Sequence, residues 1–448
     1  MSRQASGRSR LCLNASRACV EVGLANRDMP GSALDCFICT DKDGSYCLPK
    51  AYQHSMPNIL FGNPAEELTK NIIAAHVCSG SVFHAGAYVG DFFPFLEKVL
   101  DDGHVCISCE PVPLTYKAAE ITQLVSGLKK IRCSQVALGS EAGEIEIQAQ
   151  DETGLPLAQN ARFMPNRPAG TGVSVKMETI DQLCYGTDVK VLHLDLEGYE
   201  FWAMAGAVDV LRRDDILVVI ENYQEKIVKE HLADFTCFAE TDHNYFFSRK
   251  PVIKDPFSKL AAARLISQRG DQTTGDAQIA TLYGKYPQEP LIIEAYIALL
   301  QRSGDHSTAS QLALQLMERE PWRLSCYSAI EAARRAGFAV PGVLDVLRHG
   351  LVQTGHPNCA YQYVSAGIAT TLDADEAQAI TSRFLEAFPL HAEIALCDSK
   401  VRELRGDIVG AIASMEHALR LRPDRNVFKA RLDQLTACVP QIAITGRG

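Results

Sequence analysis

Two glycines four residues apart carry the first chemical signal in this sequence. In Val82-Phe83-His84-Ala85-Gly86-Ala87-Tyr88-Val89-Gly90-Asp91 an apolar run passes into a turn and then into an amphipathic stretch. A strand–turn–helix step of this kind lets the backbone at Gly86 and Gly90 approach a ligand that side chains would exclude. About twenty residues on, the next apolar run ends in Glu110-Pro111, where a carboxylate can accept from both hydroxyls of a ribose. No phosphate-binding lysine follows the loop, and Gly86-x-x-x-Gly90 lacks the third glycine of a dinucleotide fingerprint. The pattern therefore favours a nucleoside over a nucleotide, and it counts against a dehydrogenase.

A second group of residues has the chemistry to handle an acceptor. His193 and Asp195 are two apart in the apolar run 189–195, hence on one face of a strand. A histidine of near-neutral pKa there can deprotonate a hydroxyl. The preferred reading is a buried structural histidine, since position 193 lies well inside the run, and the base is left unassigned. His84 also has two readings, a hydrogen-bond partner for a ligand or a satisfied core histidine. Asp195 and Glu221-Asn222 end two runs that would be neighbours in a sheet. The preferred reading puts Asp195 on cofactor or substrate and Glu221 at the pocket rim. The alternative, three oxygen ligands for magnesium, is set aside because oxygen donors alone are a common pattern. The expected catalytic set is His193, Asp195 and Glu221, with no resident metal.

These residues need a scaffold, and the surrounding pattern supplies one. Short apolar runs at 81–85, 105–109, 131–138, 189–195 and 216–220 alternate with amphipathic stretches at 91–100, 113–128 and 200–212. Continuous apolar strands alternating with helices indicate a parallel sheet covered on both faces. The segment 235–248 reads as a closing antiparallel pair. Ahead of the sheet, residues 34–50 read as a hairpin around Asp41-Lys42-Asp43-Gly44. The first 27 residues hold five arginines against one acid, Glu21. That composition suits a transit peptide or a disordered arm, and the arm is the expectation.

After residue 265 the chain repeats. Gly270-Asp271, Gly304-Asp305 and Gly406-Asp407 stand at multiples of 34 residues, and Pro287, Pro321 and Pro423 each follow seventeen residues after the glycine. A fourth unit keeps Ala377 and Pro389 but has Leu372 for the glycine, and Gly337 with Pro357 marks a degraded one. Ala309, Ala377 and Ala411 coincide as small residues where helices would meet. This is the tetratricopeptide signature over about residues 265–440. The expected divisions are an arm and hairpin at 1–50, a catalytic domain at 51–255 and helical repeats at 265–440.

Composition narrows the setting. A net charge of −10 over 448 residues gives no basic stripe for nucleic acid, and no apolar run approaches the roughly 20 residues of a membrane span. Fifteen cysteines, among them Cys78, Cys106, Cys109, Cys133 and Cys237, lie in apolar segments as reduced thiols would. The pairs Cys36/Cys39 and Cys106/Cys109 fall in strand-like runs, where positions three apart face opposite ways, so no zinc site is expected. A cytoplasmic location follows as the expectation.

Six pieces in order resemble the FkbM-type methyltransferases. They are His84-Ala85-Gly86 with Gly90-Asp91; Glu110-Pro111-Val112-Pro113; Val136-Ala137-Leu138-Gly139; Glu178-Thr179-Ile180-Asp181; Asp195-Leu196-Glu197-Gly198-Tyr199-Glu200; and Val219-Ile220-Glu221-Asn222. The resemblance covers about residues 55–250. It implies an α/β class I methyltransferase (Rossmann-like) domain, followed here by an all-α tetratricopeptide-like repeat domain. It also implies S-adenosylmethionine as cofactor and methylation, usually of an oxygen, on a saccharide or other small molecule. Gly86 and Gly90 would lie along the methionine part, Glu110 would hold the ribose, and Val136-Ala137 would flank the adenine. Asp195 and Glu197 would close the pocket. The expected cofactor-binding set is His84, Gly86, Gly90, Asp91, Glu110, Pro111, Val136, Ala137 and Asp195. His84 stands where the family often has Asp. Magnesium, as in catechol-type methyltransferases, is the alternative cofactor. The repeats would bind the acceptor or a protein partner. The competing class is a non-catalytic binding protein acting through those repeats.

Overall fold

The run Ser81–Ala85 forms a fully buried strand near the middle of a seven-stranded sheet. The computed structural model describes residues 19–25, 33–52, 57–60, 63, 65–77, 80–148, 162–163, 172–221, 223–338 and 340–445. Within the first 27 residues, read as a disordered arm, Cys19–Ala25 instead forms a strand, and the rest of that arm, Cys78 and Asn222 lie outside the described residues.

Strands β1 (Cys19–Ala25), β2 (Ala33–Thr40) and β3 (Ser45–Pro49) form a small sheet, with the expected hairpin pairing Phe37 to Leu48. Helices α1 (Pro57–Leu60) and α2 (Glu67–His76) lead to β4 (Ser81–Ala85). Then follow α3 (Phe93–Val99), β5 (Cys106–Cys109), α4 (Pro113–Val125) and β6 (Ile131–Ser134). Strands β7 (Ala137–Leu138), β8 (Gly143–Gln148), β9 (Arg162–Phe163) and β10 (Val173–Glu178) make a separate sheet. The chain returns through α5 (Ile180–Leu183), β11 (Val189–Leu194), α6 (Glu200–Ala205), α7 (Val208–Leu211) and β12 (Leu217–Glu221). Helix α8 (Glu225–His231) and the antiparallel pair β13 (Thr236–Glu240) and β14 (Asn244–Ser248) complete it.

The main sheet runs β13-β14-β12-β11-β4-β5-β6. The five strands β12, β11, β4, β5 and β6 are mutually parallel, β14 is antiparallel to β12, and β13 is antiparallel to β14. The winding reverses between β4 and β11. In a doubly wound Rossmann-like sheet the ligand crevice opens outside the carboxyl ends of the strands at such a point. Alternate strand residues feed two cores. Val82, Val191 and Val219 pack on one face with α2 and α3, while Phe83, Leu192 and Ile220 pack on the other.

Two expected elements break in two. The run 131–138 divides because Ile131–Ser134 pairs with β5, whereas Ala137 and Leu138 pair with β10. The stretch 200–212 divides at Gly206, where a Cβ would overlap the carbonyl oxygen of Gly139. The Asp181 carboxylate then accepts from the amides of Asp209 and Val210 and caps the new helix.

The chain separates into two compact units, Val20–Ser303 and Gly304–Gly448. Helices α9 (Pro256–Gln268), α10 (Gln272–Lys285) and α11 (Pro290–Ser303) belong to the first. Leu260, Ile279, Leu282 and Ile292 lie in one apolar cluster with Ile72, Phe238 and Phe246. The sheet-bearing unit thus reaches past the boundary expected at 255–265, because these helices share its core.

The second unit holds α12 (His306–Arg319), α13 (Leu324–Arg335), α14 (Val343–Thr354), α15 (Pro357–Gly367), α16 (Ala374–Ala387), α17 (Ala392–Leu404), α18 (Ile408–Leu421) and α19 (Asn426–Thr445). The repeated Gly-Asp has a local cause. Gly270, Gly304 and Gly406 take positive φ values of 100°, 86° and 79°, which close one helix. Asp271, Asp305 and Asp407 then cap the next by accepting from the amides of Thr274, Thr308 and Gly410. Where Leu372 replaces the glycine, Asp373 still caps α16. Ala309, Ala377 and Ala411 are fully buried, as close helix packing requires. Helix–turn–helix units at this period make a tetratricopeptide-like array. Among the described residues no helix is long and apolar enough to cross a membrane.

Candidate active site

The glycine turn after β4 is shaped first by the protein itself. Gly86 has φ 82°, and a Cβ there would overlap the carbonyl oxygen of Asp195. Gly90 has φ 80°, and its Cβ would run into the Phe93 ring. Both glycines are therefore needed for packing of the loop, a reason additional to ligand approach. Between them Tyr88 takes φ 47°, a conformation that costs a non-glycine residue about 1–2 kcal/mol. The strained turn aims the Tyr88 amide at Glu110 Oε2, at 2.8 Å.

Glu110 is buried at the carboxyl end of β5. Its Oε1 accepts from the Val112 amide at 2.9 Å and from Thr115 Oγ1 at 2.8 Å. Burial pushes its pKa up to about 7 in spite of these bonds. A carboxylate has about four lone-pair sites, and three are taken. One site on Oε2 remains for a further donor. Pro111 follows half-buried, and Val136 and Ala137 are buried beside this loop, Ala137 against Val112.

Sequence reasoning missed Tyr52. The one-turn helix Lys50–Tyr52 after the small sheet brings its ring centroid to 6.1 Å from that of Tyr88. Burial and the charge of Glu110 push its phenol up to about 12. No motif could have flagged it, because a hairpin well ahead of the glycine turn supplies it.

His84 and His193 face each other directly across β4 and β11, with their Nδ1 atoms 3.0 Å apart. His193 Nε2 is 3.4 Å from Asn244 Oδ1, and Asn244 Nδ2 donates to Glu66 Oε2 at 2.8 Å and Thr69 Oγ1 at 3.3 Å. The network fixes the tautomers. His193 donates from Nε2 to Asn244, so its Nδ1 accepts, and His84 donates from Nδ1. Burial lowers both pKa values, His193 to about 4. His193 is therefore a neutral core residue with both nitrogens engaged, which does not suit the role of base. His84, equally buried, takes the structural reading at its Nδ1, while its Nε2 has no hydrogen-bond partner.

The acidic residues do come together. Ligand oxygens of Asp195, Glu197 and Glu221 lie within 4.8 Å of one another. Burial, then the charge of Glu221, holds the Asp195 carboxyl well above the usual range. Such a spacing can also hold a divalent cation. Buried Glu200 fixes the loop that carries Asp195 and Glu197. It accepts from the amides of Leu196 at 3.0 Å and Gly198 at 3.3 Å, and from Gln224 Nε2 at 3.3 Å. Desolvation pushes Asp91 up to about 6, with Lys70 opposing. Glu66, at the N-cap of α2 with φ 50°, was not anticipated, because Glu66-Glu67 reads as an ordinary acidic first turn.

Residues 84–245 match the profile of the methyltransferase FkbM domain. No curated protein matches the chain. The chain is similar to solved tetratricopeptide proteins. One from Thermus thermophilus is 16% identical over 41% of this chain and 100% of its own, with a TM-score of 0.34. A C-terminal part of a repeat protein from Cytophaga hutchinsonii is 16% identical over 43% and 78%, at 0.35. A protein from Parabacteroides merdae is 11% identical over 41% and 72%, at 0.33. Methyltransferases of this family use S-adenosylmethionine, and the strand order and the glycine turn leading to Glu110 agree with that chemistry. The chain thus carries a methyltransferase FkbM domain at residues 84–245.

Proposed function

We propose that this chain methylates a hydroxyl of a saccharide or other small molecule, with S-adenosylmethionine as donor. The observation that carries the reading is convergence. The glycine turn, Glu110 and the Asp195–Glu197–Glu221 group all end on the carboxyl rim of the sheet, across the point where its winding reverses. Bound there, the cofactor supplies an activated sulfonium methyl.

The residues present fit a nucleoside-bearing donor. Glu110 offers one free acceptor site for a ribose hydroxyl, and Tyr88 and Val112 hold its carboxylate in place. In this reading Asp91, Pro111, Val136 and Ala137 would contribute to the same cofactor site. Asp195 and Glu221 present oxygens at the next strand ends, where they can accept from acceptor hydroxyls. Trp202 and Tyr223 are 48% and 45% exposed on the segments that follow those strands, and they offer flat faces to a sugar ring. Orientation of the hydroxyl against the donor supplies much of the rate. His84 and His193 stiffen the two strands from within. No metal is assigned to Asp195, Glu197 and Glu221. The repeats would recruit the acceptor or a protein partner, and the setting would be cytoplasmic.

The competing view, a binding protein with a vestigial catalytic domain, leaves the strain at Tyr88 and the three bonds on Glu110 without a purpose. Incubating the full chain with methyl-tritiated S-adenosylmethionine and a panel of methyl glycosides tests the proposal. Label in the glycosides, located on oxygen by mass spectrometry, is expected. Cofactor binding without transfer to any hydroxyl would refute the acceptor class.

A further inference from the structure

We propose that Glu66 is the proton acceptor of methyl transfer, an assignment that rests on the methyltransferase reading above. The other candidates are already committed. His193 and His84 are neutral and bonded to each other, Asp195 is held well above the usual carboxyl range by burial and by Glu221, and Glu110 is held by three donors.

Glu66 differs from all of these in how it is held. Its Oε2 accepts from Asn244 Nδ2 at 2.8 Å, and Asn244 stands directly opposite Glu221 across β14 and β12. That places the carboxylate on the rim where the acceptor hydroxyl would lie. Its backbone is in the left-handed region, which a glutamate adopts only when its surroundings dictate it. The dictating contacts are clear. The Glu66 carbonyl accepts from the Lys70 amide at 2.9 Å, and Asn244 is locked by His193, Thr69 and Thr241. Hence the buried line His84–His193–Asn244 ends on Glu66, which gives the departure from the family's usual Asp a use. The line positions a carboxylate through neutral donors.

A neutral donor orients a carboxylate without quenching its basicity as an arginine would. The charged groups around it are Lys70 on its own helix, Asp91 after β4, Asp195 after β11 and Glu221 at the end of β12. Burial first, then acids that outnumber the one cation, bring Glu66 up to about 7, a value suited to a base at neutral pH. In the step itself, the acceptor oxygen forms a bond to the methyl carbon while the sulfur–carbon bond breaks. The sulfur keeps that electron pair and becomes a neutral thioether. The hydroxyl proton passes to Glu66 and later to water.

The test compares S-adenosylmethionine with S-adenosylhomocysteine, whose sulfur is uncharged, by calorimetry on the full chain. With Glu66 ionised at about pH 8, Glu66→Gln should weaken the sulfonium ligand about five- to tenfold and leave the neutral one unchanged. At about pH 6 the wild type should lose the same preference. With the best methyl glycoside, Glu66→Gln should lower kcat at least about 100-fold with little change in KM, and the acid limb near neutral pH should vanish. Glu66→Asp, which keeps the charge, should retain the ligand preference and lose rate. This variant serves if the amide does not fold. An unchanged ligand preference in Glu66→Gln, or kcat within about threefold of wild type, overturns the assignment. Failure of the wild type to bind S-adenosylmethionine would instead overturn the methyltransferase reading, and this assignment with it.

Discussion

Replacing Glu110 by alanine separates its two roles, one toward the ligand and one toward the fold. Toward the ligand, one site on Oε2 is free, so one charge-assisted hydrogen bond to a ribose hydroxyl is at stake. Such a bond is worth about 2 kcal/mol, or roughly a 30-fold rise in Kd. Toward the fold, the change strands the amides of Tyr88 and Val112. Each buried, unsatisfied donor costs about 1–3 kcal/mol. The assay therefore pairs calorimetric titration of S-adenosylmethionine with a thermal melt, so that lost affinity is read only from folded protein. A pH series adds an internal control. With its pKa up to about 7, Glu110 accepts best when ionised, so wild-type affinity should rise between about pH 6 and 8. The alanine variant should lose this contribution. A folded variant with unchanged affinity and the same pH dependence would refute the placement of Glu110 in the site.

Stability should fall as pH rises from 6.5 to about 8. Glu66 and Glu110, both raised to about 7, are stabilised while protonated, fully so below their unfolded values, and lose this as pH passes through the folded ones. The buried histidines act in the opposite sense only below their ordinary 6.5, so a thermal midpoint rising over this window would contradict the account. Turnover should survive EDTA; loss of activity restored by magnesium would show that Asp195, Glu197 and Glu221 hold a cation. A chain ended after residue 258 should be insoluble, since it uncovers the face that Leu260, Ile279, Leu282 and Ile292 bury at about 1.5–3 kcal/mol each. Residues 20–303 should fold and bind cofactor, and a soluble, binding-competent shorter chain would show that those helices are dispensable.

The sequence was most legible where chemistry is local. Strand 81–85, the glycine turn, the closing antiparallel pair and the Gly-Asp repeats follow from neighbouring residues, and the structure has them where expected. It was least legible where function depends on what long-range packing delivers. Tyr52 arrives from a sheet far upstream, and Glu66 is aimed by Asn244, 178 positions away. His193 stayed a candidate base beside its reading as a buried structural histidine, because its alternation placed it on one face with Asp195. The register that sets it against His84 inside the core is not written in the alternation. The extent of the sheet-bearing unit was hidden for a similar reason. The 34-residue period continues through α9 and α10, and the period does not report that their apolar faces turn toward the sheet.

The central claim is that the carboxyl rim of the sheet binds S-adenosylmethionine, and titrating the full chain with that ligand by calorimetry tests it most directly. The account predicts one site per chain, saturable well below millimolar ligand and weakened about 30-fold by Glu110→Ala. No heat of binding at millimolar ligand, from a folded chain, would contradict it.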